Sequence, residues 1–361
     1  METQTMMHLD MRNRNQLPWT DEIWKQIDMA VHDECKRTKV ASKFLPICPA
    51  PGATTIPSDT VLLSNRRDGQ RLTIDETAIT PILELEVGFQ LTYQQMMEPN
   101  SSSTITLATR SANLLSQGVD IAIFQGQSAI SGPNAQPLFA DGRVAIVSGN
   151  AGRGLINAPE VNQANPAIQI IEVPTTTGPD QVPPRWGENT FGVVSDAYSR
   201  LQSGEGLNQA HYGPYACILN FQPYADTYAP LPTTLIIPAD RIKPLVTEMA
   251  HSQMMNEATM LKHTQDMNVY GRDMSYMHTP SYYPRYYGTG TLPRLKGMFL
   301  SPGSNTMDLV IGQDATTEYV RQEGNFYWFR VYERFALRLK DPSSVIRLEF
   351  QQPTSSTPPP S

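Results

Sequence analysis

Tyr327-Trp328-Phe329-Arg330-Val331-Tyr332-Glu333-Arg334-Phe335-Ala336-Leu337-Arg338-Leu339 is the stretch whose reading decides the fold, with Leu309-Val310-Ile311-Gly312-Gln313-Asp314 before it and Leu348-Glu349-Phe350 after it. Tyr327, Phe329, Val331, Phe335, Leu337 and Leu339 alternate with Arg330, Arg334 and Arg338, the two-residue period of a strand with one buried face. Only Glu333 interrupts the apolar row. A carboxylate in that position predicts an arginine partner from its own or a neighbouring subunit.

Moving outward, Leu83, Leu85, Val87, Phe89 and Leu91 alternate with Glu84, Glu86, Gly88 and Gln90, a second half-buried strand over 82–91 with Glu84 and Glu86 on its solvated face. Ile105, Ala108, Ala112, Leu115, Val119 and Ala122 repeat at helical spacing, and a second row of Leu107, Leu114 and Ile121 widens the stripe. This is a long central helix buried on more than one side, capped within Ser101 to Ser103. Earlier, Pro18-Trp19-Thr20 opens a helix with Thr20 as cap and Asp21 and Glu22 in its first turn; Ile23, Ile27, Ala30 and Val31 share one face.

Between these helices, Thr60 to Ser64 and Arg71 to Ile74 flank Asp68-Gly69, the signal of an extended hairpin. Arg66, Arg67, Asp68 and Arg71 crowd its tip and need an acidic neighbour or solvent, which a loop clasping another subunit would find. The stretch 132–188 reads as short strands and loops, with apolar runs at Val144 to Val147 and Ile168 to Val173. A helix over Thr190 to Gln202 and a buried strand over Tyr215 to Leu219 follow. From Pro230 to Tyr287 the chain is rich in methionine and tyrosine, as suits a packed contact surface; Ile242, Leu245, Val246, Met249 and Leu261 predict a helix interrupted near Pro244. Pro353 to Ser361 is a low-complexity tail expected to be disordered.

Composition removes several function classes. At 361 residues, 40% hydrophobic and 17% charged, the chain can bury a large core. Its net charge of -7 carries no basic stripe of the kind that packages nucleic acid. The odd trio Cys35, Cys48 and Cys217 fits reduced thiols in a cytoplasmic protein. The opening residues do not form a secretion signal, and no apolar run approaches the ~20 residues needed to span a bilayer.

The chemistry-bearing residues do not assemble into a site. Gly149-Asn150-Ala151-Gly152-Arg153-Gly154 lacks the Lys-Ser/Thr ending of a phosphate loop and reads as an ordinary loop. His8, His32, His211, His251, His263 and His278 are scattered, so no metal site and no cofactor is expected. No Gly-x-Ser-x-Gly elbow occurs, and Cys217 sits in an apolar strand where a thiol packs. No catalytic residue is assigned.

Several segments in order resemble the shell protein of bacterial encapsulin nanocompartments, in the family 1-like, linocin/bacteriocin group. They are Leu17-Pro18-Trp19-Thr20-Asp21-Glu22-Ile23-Trp24, Ala41-Ser42-Lys43-Phe44-Leu45, Pro81-Ile82-Leu83-Glu84-Leu85, Asp120-Ile121-Ala122-Ile123-Phe124-Gln125-Gly126, Gly213 to Asn220, and Gly312-Gln313-Asp314 with Tyr319. The resemblance implies an α+β, Hong Kong 97 phage major-capsid-like fold. It implies an N-terminal arm and interior helix (1–48), an extended loop (49–80), a peripheral domain with a spine helix (81–131 and 308–350), an axial domain with insertions (132–307), and a tail (351–361). It further implies a cytoplasmic, closed icosahedral homo-oligomer, without membrane or nucleic acid, loaded with a cargo enzyme through that enzyme's C-terminal targeting peptide. By matching positions, the peptide would dock on Ile23, Ile27 and Val31, with Gln313, Asp314 and Tyr319 beside them. Competing expectations are a phage or prophage major capsid protein enclosing DNA, and a soluble enzyme using Glu333 or the histidines.

Overall fold

The computed structural model describes residues 13–351 apart from 67–68, 76, 99, 162–165, 177–184, 205–206, 208, 232–234 and 257–294. In chain order the strands are β1 (Ile47–Pro49), β2 (Thr55–Pro57), β3 (Thr60–Arg66), β4 (Gly69–Asp75), β5 (Ile79–Pro81), β6 (Leu83–Thr92) and β7 (Ala145–Ser148). They continue with β8 (Ile170–Val173), β9 (Ala216–Leu219), β10 (Glu248–His251), β11 (Leu295–Leu300), β12 (Met307–Glu323), β13 (Phe326–Leu339) and β14 (Val345–Phe350). The described α-helices of five residues or more are α1 (Asp21–Thr38), α2 (Ser102–Gln125), α3 (Glu188–Ser203), α4 (Phe221–Thr227) and α5 (Pro238–Ile242).

The alternation over 327–339 becomes the centre of a five-stranded sheet of order β1-β12-β13-β6-β7. Antiparallel pairing sets Val331 against Val87 and Phe335 against Leu83, so that the apolar rows of β13 and β6 share one face. That face is covered by α2 and α1. Leu83, Leu85, Val331, Ala108, Ala112, Leu115 and Val119 are all without solvent exposure in this core. Phe329 is its aromatic hub, stacked on Trp19 at 5.2 Å and Phe89 at 5.3 Å.

The second sheet has the order β10-β9-β11-β14-β8 and its own core of Trp186, Val194, Leu201, Cys217, Phe299 and Phe350, with α3 on one side. The closing segment therefore divides between the two sheets: β12 and β13 lie in the first, while β14 pairs with β11 and β8 in the second. Met249 falls in β10 rather than in a helix, because Pro244 limits the helical stretch to α5 and one 3-10 turn, Lys243–Leu245. Leu261 and most of the methionine- and tyrosine-rich segment lie outside the described residues.

The hairpin of β3 and β4 pairs Thr60 with Asp75 through Arg66 with Gly69, standing beyond a two-stranded ribbon of β2 and β5. Its base is fastened to the main sheet by Val61 N donating to Lys340 O at 2.9 Å and by Arg338 Nη1 donating to Asp59 Oδ2 at 2.6 Å. The glycine-rich run after β7 meets the end of α2 backbone to backbone. Gly126, at φ +79°, bridges Arg153, and a Cβ on Gly154 would lie 2.3 Å from the Gln125 carbonyl carbon. Close approach of two segments of the chain accounts for Gly126, Gly149 and Gly154, while Gly152 is called for by its φ of +63°.

Two helix starts differ from expectation in their chemistry. Thr20 holds the cap position of α1 in extended conformation but makes no side-chain bond to the first-turn amides. At α2 the Glu98 carboxylate, not a serine, accepts from Ser103 N at 3.0 Å and Ser103 Oγ at 2.8 Å. These bonds hold the Glu98 carboxyl below its ordinary range.

Candidate functional site

Because one face of α1 is apolar and the helix lies across α2 and β12, the chain brings the N-terminal helix and the Gln313–Tyr319 strand into one seam. Each of the residues assigned to docking belongs to it, though not equally open. Ile27 and Val31 are 0% exposed and belong to the first core, so in this protomer that part of the stripe is core packing rather than an open groove. Tyr319 is also buried, its ring edge-on to Phe329 at 5.6 Å. Ile23 and Gln313 are half-buried, and Asp314 is exposed. Gln313 Nε2 donates to Thr316 Oγ1 at 3.1 Å, and Asp314 faces His32 Nδ1 across 3.7 Å. The accessible edge of the seam is therefore Ile23, His32, Gln313 and Asp314.

Of the hairpin-tip residues, Arg66 stands opposite Gly69 and Arg71 opposite Ser64 in the strand ladder. Arg67 and Asp68 lie outside the described residues.

Beneath the seam sits a buried charged layer, of which the sequence pointed to Glu333 alone. Glu333 is paired with a lysine, not an arginine: Lys39 Nζ donates to both of its carboxylate oxygens at 2.7 Å, with side-chain exposures of 6% and 0%. Burial opposes the Lys39 charge, but Glu333 together with Cys35 and Asp314 outweighs it and the ammonium is held above its ordinary range. Burial likewise drives the Glu333 carboxyl upward against the pull of Lys39. One turn on, Asp120 of α2 accepts from Val40 N at 2.8 Å and Ala41 N at 3.0 Å, pinning the 40–43 turn to the helix. Burial pushes Asp120 up to about 7 although both amides draw it down. A lone carboxylate within the apolar run Val119-Asp120-Ile121 was the available signal; Lys39 carried none.

The opposite face of the sheet is an arginine ladder. Arg330 donates to Glu318 at 2.6 Å and Glu86 at 2.7 Å and lies 3.4 Å from Glu84. Arg334 is 3.6 Å from Glu84, and Arg338 is bidentate to Asp308 at 2.9 and 2.7 Å. Glu84 and Glu86 are thus ion-paired, not simply solvated. Among the described residues no three His, Cys, Asp or Glu side chains gather as a metal-binding group, and no helix is long and apolar enough to cross a membrane.

The chain matches no family model. It is similar to a virus-like particle protein from Pyrococcus furiosus, at a TM-score of 0.55 and 14% identity, over 91% of this chain and 100% of that one. Weaker similarity extends to the capsid of Myoviridae phage XM1 (TM-score 0.49, 13% identity, 87% and 92% covered) and to the procapsid of satellite phage P4 with its size-determination protein (0.47, 8%, 99% and 100%). The fold is the Hong Kong 97 phage-capsid fold, in its α+β form.

Proposed function

We propose that this chain is the structural protomer of a closed, cytoplasmic icosahedral shell, an encapsulin-type nanocompartment that encloses a cargo enzyme. The observation that carries the proposal is the end-to-end likeness to the Pyrococcus virus-like particle protein, which spans 100% of that chain. A closed shell needs different surfaces of one protomer to meet repeatedly under rotation. The hairpin standing off the sheet supports this, and we read residues 49–80, with Arg66, Arg67, Asp68 and Arg71, as the element that holds a neighbouring copy. Residues 81–131 with β12 and β13 then form the peripheral unit, and the second sheet belongs to the axial one. Any reaction belongs to the guest, whose C-terminal peptide docks along the α1 seam at Ile23, Gln313 and Asp314, reaching Ile27, Val31 and Tyr319 only if the seam opens.

The ladder favours a protein guest over DNA. Arg330, Arg334 and Arg338 each face carboxylates, so this arginine row is already neutralised within the protomer and is not a phosphate-binding stripe. Absorbance of nuclease-treated particles tests the content. A protein spectrum with a co-purifying enzyme is expected; particles filled with DNA as their native content would make the chain a phage-type capsid protein instead.

A further inference from the structure

We propose that the α1 seam contains a guanidinium pocket, that the chain's own segment 13–19 occupies it, and that an incoming guest peptide carries an arginine with an apolar residue three positions on. This deepens the reading of the seam as a guest site and rests on that reading. Arg14 is unusual for an arginine in being only 9% exposed. Its Nη1 and Nη2 donate to the two carboxylate oxygens of Asp28 at 2.9 and 2.7 Å, and Nη2 also reaches Thr317 O of β12 at 3.1 Å. The guanidinium lies over the Trp24 ring, 4.5 Å from its centroid. A carboxylate fork, an aromatic face and a strand carbonyl together read the plane, charge and donors of an arginine, which a lysine would satisfy only in part.

The flanking residues complete the strap. Asn13 Nδ2 donates to Tyr319 O at 3.4 Å, Leu17 is buried in the first core, and Trp19 stacks on Phe329 while its Nε1 donates to Met96 O at 2.9 Å. Asp28 and Trp24 come from α1, and Thr317 and Tyr319 from β12, so the strap crosses the same two elements that the guest site requires. It reaches the Tyr319 backbone, beside the open edge of Ile23, His32, Gln313 and Asp314. A guest that reaches further into the seam must displace it, and one presenting the same arginine and apolar residue replaces what it removes.

The test uses the full chain and, as probe, a fluorescent peptide of the sequence of residues 13–20. The strap-released variant R14A/L17A/W19A should bind this peptide at least about tenfold more tightly than the wild type, and changing the peptide's arginine to alanine should cost about tenfold or more. Equal binding to both proteins, no binding to the variant, or indifference to the arginine overturns the proposal. If the triple variant loses α1, trypsin decides: the Arg14–Asn15 bond should be cut at least about tenfold faster in Asp28→Ala than in the wild type, and equal rates overturn the pocket. Neither readout depends on particle formation, so both separate failure of this inference from failure of the shell reading.

Discussion

Lys39 Nζ lies 2.7 Å from each carboxylate oxygen of Glu333, across 294 residues of sequence, with both groups buried. It joins the end of α1 to the centre of β13, and Asp120 fastens the following turn to α2, so three elements are held by polar contacts under an apolar layer. Such a pair adds little over a well-packed apolar pair, but breaking it strands a charge.

Lys39→Ala or Glu333→Ala should therefore each destabilise the protomer by about 3–5 kcal/mol. The double change Lys39→Met with Glu333→Leu should cost less than either single change. Urea denaturation of all four proteins checks this, and additive losses would mean that the two groups do not act as a pair.

Asp120 sets a pH dependence. Its folded value of about 7 lies above the ordinary 3.8, so the folded state holds the proton more firmly. This group's contribution is fully present below about pH 4 and is lost as pH rises through 7, on the order of 4 kcal/mol in all. Asp120→Asn should flatten the stability profile between about pH 4 and pH 8. It should also lose one of the two amide bonds, since the side-chain amide accepts through only one atom. Denaturation midpoints across pH decide, and an unchanged slope would show that the carboxylate is ionised throughout.

At the far end of α2, Gly126 adopts φ +79° and an added Cβ would sit 2.4 Å from Gly154 N. Gly126→Ala should cost about 2 kcal/mol or more, since backbone strain and a backbone clash add. Gly132→Ala, at φ +88° but with no atom within 4 Å, isolates the strain term and should cost less. Thermal melts of the two variants give the comparison.

Deleting Thr60 to Leu72 removes the hairpin and leaves both five-stranded sheets, since its strands pair only with each other. The expected product is a folded protomer, native by circular dichroism, that remains small in sedimentation. Intact particles from the deletion would remove the hairpin from the contact between copies.

The elements with a clean period were legible from sequence. The β13 alternation, the β6 alternation and the two rows of α2 all appear within a few residues of their expected bounds, because each buries a face whose spacing the backbone dictates. What was not legible depended on contacts remote in sequence. Nothing near Lys39 marks it as the partner of Glu333, and nothing near Arg14 marks it as buried. Ile27 and Val31 show the other limit, for a core stripe and a docking groove have one helical pattern, and only the covering residues tell them apart. The placement of β14 in the second sheet was hidden for a related reason: the short break at 340–344 lets the chain change sheets without any change in its apolar character.

Assembly is the property on which the proposed function depends, and particle size tests it most directly. Purified full-length protein, examined by analytical ultracentrifugation with negative-stain imaging of the same sample, should sediment as one large species made of hollow, uniformly sized particles. Material that stays at the mass of a single 40.2 kDa chain, at ordinary salt and across the concentrations tested, would contradict it.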